Sequence, residues 1–301
     1  MISRLWKLFY DNPYALLVVT MLSWAGNSVA SRVAVGQIDP ASITALRWVI
    51  SAGILLPICG RQLIHFAPVL RQRALYLTMM GLMGFTIFNL LFYWAGHETT
   101  ALNIALMQSV MPAVIMVGAF LFLRQPVSPL QWIGLVLAFI GAMTVASQGD
   151  LSRIASLALN HGDAMMLLAS LFYSAYSLML RDRPAMPNLV FFTAIASSAA
   201  ISSLIYLAGD AVVHGLTAPT LKGWAVLLYI AIFPSLLAQI FFIRAVELIG
   251  AGRAGLFSNL VPIFGAGFAV LFLNEAFALF HAVALILILG GISLSEFGRK
   301  R

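Results

Sequence analysis

Residues 101–125 read ALNIALMQSVMPAVIMVGAFLFLRQ, and residues 251–275 read AGRAGLFSNLVPIFGAGFAVLFLNE. Laid over each other at a fixed offset of 150, without gaps, they share a proline, Pro112 and Pro262, and the same L-F-L ending. Carried on to residue 141, the register gives ten identities in 41 positions, among them Leu135/Leu285, Leu137/Leu287 and Gly141/Gly291. That number alone is modest in a leucine-rich chain; the shared proline and common ending mark a repeat. An offset of 149 likewise lays WAGNSVASR (24–32) over YSAYSLMLR (173–181). The sequence is written twice.

What is repeated is apolar. Hydrophobic residues make up 62% of the chain and charged residues 9%, against about 25% charged in a soluble domain. Most of this surface must face lipid or other helices. Apolar runs of spanning length fall at about 14–35, 42–60, 74–96, 101–123, 129–147, 162–180, 188–208, 223–243, 253–273 and 279–297. The longer connections, 61–73, 148–161 and 209–222, are too small to fold as domains. Each half holds five helices, an odd number, so the second copy sits upside-down in the bilayer. The expected fold is all-α and integral to the membrane. It has ten transmembrane helices as two inverted five-helix repeats, 13–147 and 161–297, within one membrane domain, 1–301.

Charge orients it. Thirteen of the 17 Lys and Arg residues collect on one side, including Arg61, Arg71, Arg73, Arg181, Arg183, Arg244 and Arg253. Short-loop Lys/Arg asymmetry places that side in the cytoplasm, with both termini inside and the chain in the inner membrane. The net charge of +7 is then topological, and nucleic acid is not an expected partner. The sole cysteine, Cys59, excludes a disulfide framework.

One motif competes with this reading. Gly250, Gly252 and Gly255 spell G-x-G-x-x-G, which binds dinucleotides only after a strand and before a helix in a βαβ unit. Here it follows a spanning helix, and its repeat partners are Thr100, Leu102 and Ala105. Gly250 and Gly252 are expected in a loop, with Gly255 beginning a helix packed through small residues. No cofactor is implied, no histidine pair has metal-ligand spacing, and no GxxxxGK[ST] links the chain to ATP or an ATPase subunit.

Inverted halves are an architecture of secondary transporters, with substrate near the midplane where the halves meet. Mid-helix Pro112 and Pro262 have no amide hydrogen for the carbonyls of Gln108 and Ser258, four residues back, and are candidate hinges or gates. Intramembrane amides form a second group: Asn89 and Gln239, partners at the 150 offset, with Asn27, Asn103, Gln108 and Asn259. Amides donate to a carboxylate and accept from an ammonium without carrying charge; the competing role is glue between helices. Trp24 and Asn27 share a helix face, as do Tyr173 and Tyr176, while Phe88, Tyr93 and Trp94 add ring surface for stacking or for an ammonium. Trp6, Tyr10 and Trp48 read instead as interfacial anchors. Arg47, an intramembrane ion, either meets a substrate carboxylate or snorkels outward with Arg32. No Asp or Glu lies in a helix centre, so no buried proton-relay carboxylate is visible.

The paired P-x8-LFL blocks resemble the EamA family of the drug/metabolite transporter superfamily. So do the helices after them (LQWIGLVLAFIGAMTV, 130–145; FHAVALILILGGISL, 280–294) and ALRWVISAG at 45–53. Family halves often follow the block with Gly-Glu; here Arg124-Gln125 and Asn274-Glu275 stand there, so the acid survives only in the second half. The likeness is greatest to bacterial aromatic amino acid exporters. It implies cytoplasmic termini, a central cavity, membrane lipid as surroundings and export of small metabolites. Amino acids are the expected cargo; drugs, sugars or nucleotide-like metabolites are the alternative. A polytopic membrane enzyme would need a His, Asp or Glu cluster on one membrane side, and none appears.

Overall fold

The computed structural model describes residues 8–98, 111–147, 149–150, 152, 161–273 and 279–298. Among them all regular structure is helical. The principal helices are α1 (Pro13–Ala34), α2 (Pro40–His65), α3 (Ala74–Glu98), α4 (Met111–Leu123), α5 (Pro129–Ala146), α6 (His161–Met179), α7 (Asn188–His214), α8 (Leu221–Ile249), α9 (Leu260–Leu273) and α10 (Leu279–Phe297). Six described helices are long and apolar enough to cross a bilayer: the first three, α7, α8, and α6 with the turn that follows it.

Local chemistry sets the boundaries. Asn12 accepts from the Tyr14 and Ala15 amides ahead of Pro13, and Asp39 accepts from the Ser42 amide ahead of Pro40. Both place a polar N-cap before a proline at the first helical position, where its missing amide is not needed. Gly250 closes α8 with φ +86°, a conformation that strains side-chain-bearing residues. Two expectations are corrected. The 61–73 connection is largely helical, because α2 runs to His65 and a short helix, Ala67–Gln72, follows. Gly252 lies with Gly255 in the short helix Ala251–Leu256, not in the loop; α8 leads into that glycine stretch, so no strand precedes it.

Two helices widen at matching places. α3 contains a π turn at Leu82–Ile87 and α8 one at Ala231–Leu237; shifting the first by 150 carries it to 232–237. Their causes differ. In α8, Pro234 cannot donate to the Ile230 carbonyl and forces the backbone outward. In α3 the matching residue is Gly84, and the Tyr176 ring lies where a Cβ would stand.

Packing repeats the same exchange. α1 packs on α8 and α9, and α6 packs on α3 and α4; swapping the halves converts one set into the other. α2 lies against α7, and α5 against α10. In the last pair a Cβ on Gly134 would strike the Gly291 carbonyl, and one on Gly291 the Gly134 carbonyl. The small residues therefore join helices within the chain. A Cβ on Gly290 would meet nothing within 4 Å, so that residue faces away from the contact.

Candidate functional site

Arg47, on the eighth residue of α2, is 3% exposed. It does not snorkel. Its Nε donates to Ser235 Oγ at 2.7 Å, and its Nη1 donates to Asn89 Oδ1 at 2.8 Å and Tyr93 Oη at 2.6 Å. Tyr93 in turn donates to Asn27 Oδ1 at 3.2 Å. Helices α2, α3 and α8 thus meet on one guanidinium, and α1 joins them through Tyr93. Its two Nη2 hydrogens have no acceptor among the described residues, and no described carboxylate pairs with it. A buried charge without a counter-charge is costly, and inside a membrane such a charge marks a functional site by default.

The π turn of α8 explains how Ser235 comes to be there. Pro234 cannot give the Ile230 carbonyl its α-helical donor; the π turn hands that carbonyl to the next residue, and Ser235 Oγ also donates to it at 2.6 Å. The hydroxyl has one hydrogen, so its lone pairs are left for Arg47 Nε. Ser51 serves the next carbonyl in the same way, donating to Ala231 O at 3.2 Å while also reaching Arg47 O at 2.8 Å. Asn89 is fixed from its other end by donation to the Phe85 carbonyl.

Beside this polar set lies an aromatic one. Tyr173 is ringed by Trp24 (centroids 5.7 Å apart), Phe88 (5.0 Å), Tyr176 (5.3 Å) and Phe242 (6.1 Å). Phe88 precedes Asn89 on α3, and Gln239 follows Ser235 by one turn on α8, so the two sets share both helices. Gln239 faces the Tyr173 hydroxyl, yet among the described residues neither Gln239 Oε1 nor Tyr173 Oη completes a hydrogen bond, and Tyr176 Oη has no partner there either. Buried polar atoms left this way call for an explanation.

The structure thus brings Trp24, Asn27, Arg47, Phe88, Asn89, Tyr93, Tyr173, Tyr176 and Gln239 into two adjoining groups. It does not bring Asn259 to them. That side chain is buried on the 3-10 turn Phe257–Asn259, donating to its own Leu256 carbonyl. Pro112 is buried at the start of described α4; for Pro262 only the backbone is described, three residues into α9 and just beyond that 3-10 turn. Gln108, Asn103 and Trp6, and the side chain of Arg32, lie outside the described residues. Trp48 is corrected: it is fully buried, stacked on Phe85 at 4.3 Å with its Nε1 donating to the Phe85 carbonyl, and anchors no interface. Sequence reading passed over Pro234 and Ser235; a proline inside the 223–243 apolar run was the signal.

A small, partly open pocket lies at one end of the polar set, lined by Ser31, Ala34, Ile38, Ile43, Tyr93 and His97 among others. Tyr93 is its innermost polar contact with the Arg47 group.

The comparisons agree with one another. The model of the EamA-like transporter family matches residues 12–147 and again 160–297. The "Uncharacterized transporter YyaM" of Bacillus subtilis (strain 168) is 25% identical over 84% of this chain and 83% of its own. An "Uncharacterized transporter" of Archaeoglobus fulgidus is 24% identical over 95% of this chain and 97% of its own. A solved crystal structure covers 95% of this chain and 96% of its own with a TM-score of 0.75. At 16% identity that likeness is one of fold alone.

Proposed function

The chain belongs to the EamA-like transporter family, and on that premise we propose that it exports amino acids, including aromatic ones, by alternating access. In this reading ten helices cross the inner membrane as two inverted repeats, 13–147 and 161–297, with both termini cytoplasmic. The matched π turns and the exchanged packing partners support the repeat. Substrate sits where the repeats meet, and the two halves rock around the helices that carry Pro112 and Pro262.

The observation that carries the cargo assignment is Arg47, buried and held by uncharged partners with its Nη2 edge unused. A guanidinium edge binds a carboxylate through parallel hydrogen bonds. Gln239 Oε1 and Tyr173 Oη, both without partners among the described residues, accept from an ammonium. The faces of Trp24, Phe88 and Phe242 receive an apolar or aromatic side chain. Asn89 holds the guanidinium, and Asn27 holds Tyr93.

Counterflow tests this directly. Liposomes containing only the purified protein are preloaded with unlabelled amino acid. They then receive labelled phenylalanine, leucine, glutamate and a sugar in parallel. Saturable uptake of phenylalanine and leucine is expected, reduced by Asn89→Ala plus Gln239→Ala in folded protein. Uptake of no amino acid by folded, oriented protein overturns the cargo and turns attention to sugars and drugs.

A further inference from the structure

At the arginine-rich end of the molecule, Glu247 at the tip of α8 is clasped from three sides. Arg183 Nη2 lies 2.6 Å from its Oε1, while Arg244 Nη1 and Asn188 Nδ2 each donate to its Oε2 at 2.7 Å. Arg183 also donates to Asn188 Oδ1, and Arg244 Nη2 pairs with Asp11 at 2.6 Å before the start of α1. The cluster ties the end of α8 and the foot of α1 to the 183–188 stretch that joins α6 to α7.

The repeat shows what this cluster covers. Shifted by 150, Glu247 corresponds to His97; shifted by 149, Arg183 corresponds to Ala34 and Asn188 to Asp39. His97 and Ala34 both line the open pocket at the other end, and Pro40, next to Asp39, lines it too. The same gap between helices therefore holds a partly open pocket at one end and an ion-paired cluster at the other.

We infer that the cluster is the lock on a cytoplasmic entrance: a cleft between the end of α6, the start of α7 and the tip of α8, equivalent to the open pocket. The inference rests on the alternating-access reading above and assigns this structure to the outward-open state. Charge-assisted hydrogen bonds close the cleft with well-defined geometry, and their partial exposure, with Glu247 at 32% and Arg183 at 17%, keeps the closure weak enough to break in each cycle. Releasing Glu247 frees α8 from the 183–188 stretch, opens the inner cleft and lets the outer one close.

Two repeat-related reporters test it in detergent-purified full chain without any cargo, in a Cys59→Ala background. Leu180→Cys, at a buried position under the cluster, reads the inner cleft, and Ser31→Cys, on the pocket wall, reads the outer one. The readout is the rate of alkylation by N-ethylmaleimide. Glu247→Gln is expected to speed Leu180→Cys about five-fold, the low end of coupling between distant sites, and to slow Ser31→Cys. Arg183→Gln, which unlocks from the opposite wall, gives the same pair of changes and carries the test should Glu247→Gln not fold. Unchanged rates at Leu180→Cys in the folded variants overturn the lock. So does faster labelling there with no change at Ser31→Cys, which would reduce the cluster to a local surface clasp. A wrong cargo assignment leaves these rates untouched, so the two failures are separable.

Discussion

Arg47 is held by groups that differ in how visible they are in a sequence. The arginine announces itself as a charge in an apolar run, and Asn89 and Tyr93 stand out as polar atoms one turn apart on α3. Ser235 does not stand out, because serine is common in membrane helices and its role depends on a carbonyl that Pro234 sets free. Arg47→Lys keeps the charge but loses the planar fork that reaches Ser235, Asn89 and Tyr93 together. It is expected to raise the KM for a carboxylate-bearing substrate at least ten-fold, a loss of about 1.4 kcal/mol, as read by counterflow kinetics. Ser235→Ala removes both the Arg47 acceptor and the donor to Ile230 O. An unsatisfied buried group costs about 1–3 kcal/mol, so the variant should melt at a lower temperature in detergent while also binding substrate less well. Trp48 marks the limit of residue-level reading. An indole near a helix end reads as an interfacial anchor until Phe85 is seen stacked against it, and that contact lies across to another helix.

At the scale of elements, helix starts were more legible than helix ends, and of the two interruptions only the one at Pro234 left a mark in the sequence. Asn12-Pro13 and Asp39-Pro40 are short-range signals, and the helices begin where those pairs stand. A π turn inserts a residue into an otherwise continuous helix, and apolar periodicity in an all-apolar stretch carries no mark of it. Pro234→Ala restores the α-helical donor to the Ile230 carbonyl and lets α8 straighten. The expected result is thermal stability kept or increased together with loss of counterflow, because straightening turns Ser235 away from Arg47. The α5–α10 contact offers a matched pair. A side chain on Gly291 meets backbone of α5, so Gly291→Val is expected to destabilise by about 1–3 kcal/mol, as overpacking does. Gly290→Val, with open space around it, should melt within a degree or two of the parent. Equal effects at the two positions would show that the helices do not meet through Gly291.

For the molecule as a whole, the helices of the two sequence halves interleave in space. α1 from the first half lies on α8 and α9 from the second, and α6 lies on α3 and α4. Pairwise identities between repeats revealed that the chain is written twice, but partner choice between helices is a long-range matter that they do not encode. Hydrogen exchange in the presence of transported substrate is expected to change protection in α1 and α8 together, and in α3 and α6 together. Changes confined to one sequence half would refute that interleaving. The arginine-rich end holds a further consequence. Arg181 donates to the Leu123 carbonyl, Arg253 to the Tyr14 hydroxyl, and Arg183 and Arg244 share Glu247. In the folded chain those cations are turned toward the protein. Arg61, Arg71 and Arg73, exposed around the short helix Ala67–Gln72, have no ion pair among the described residues. The attraction of anionic headgroups, about 1 kcal/mol for each cation near the surface, is then concentrated along the edge where α2 hands over to α3. The annulus of lipid around this protein should be enriched in phosphatidylglycerol or cardiolipin at that edge.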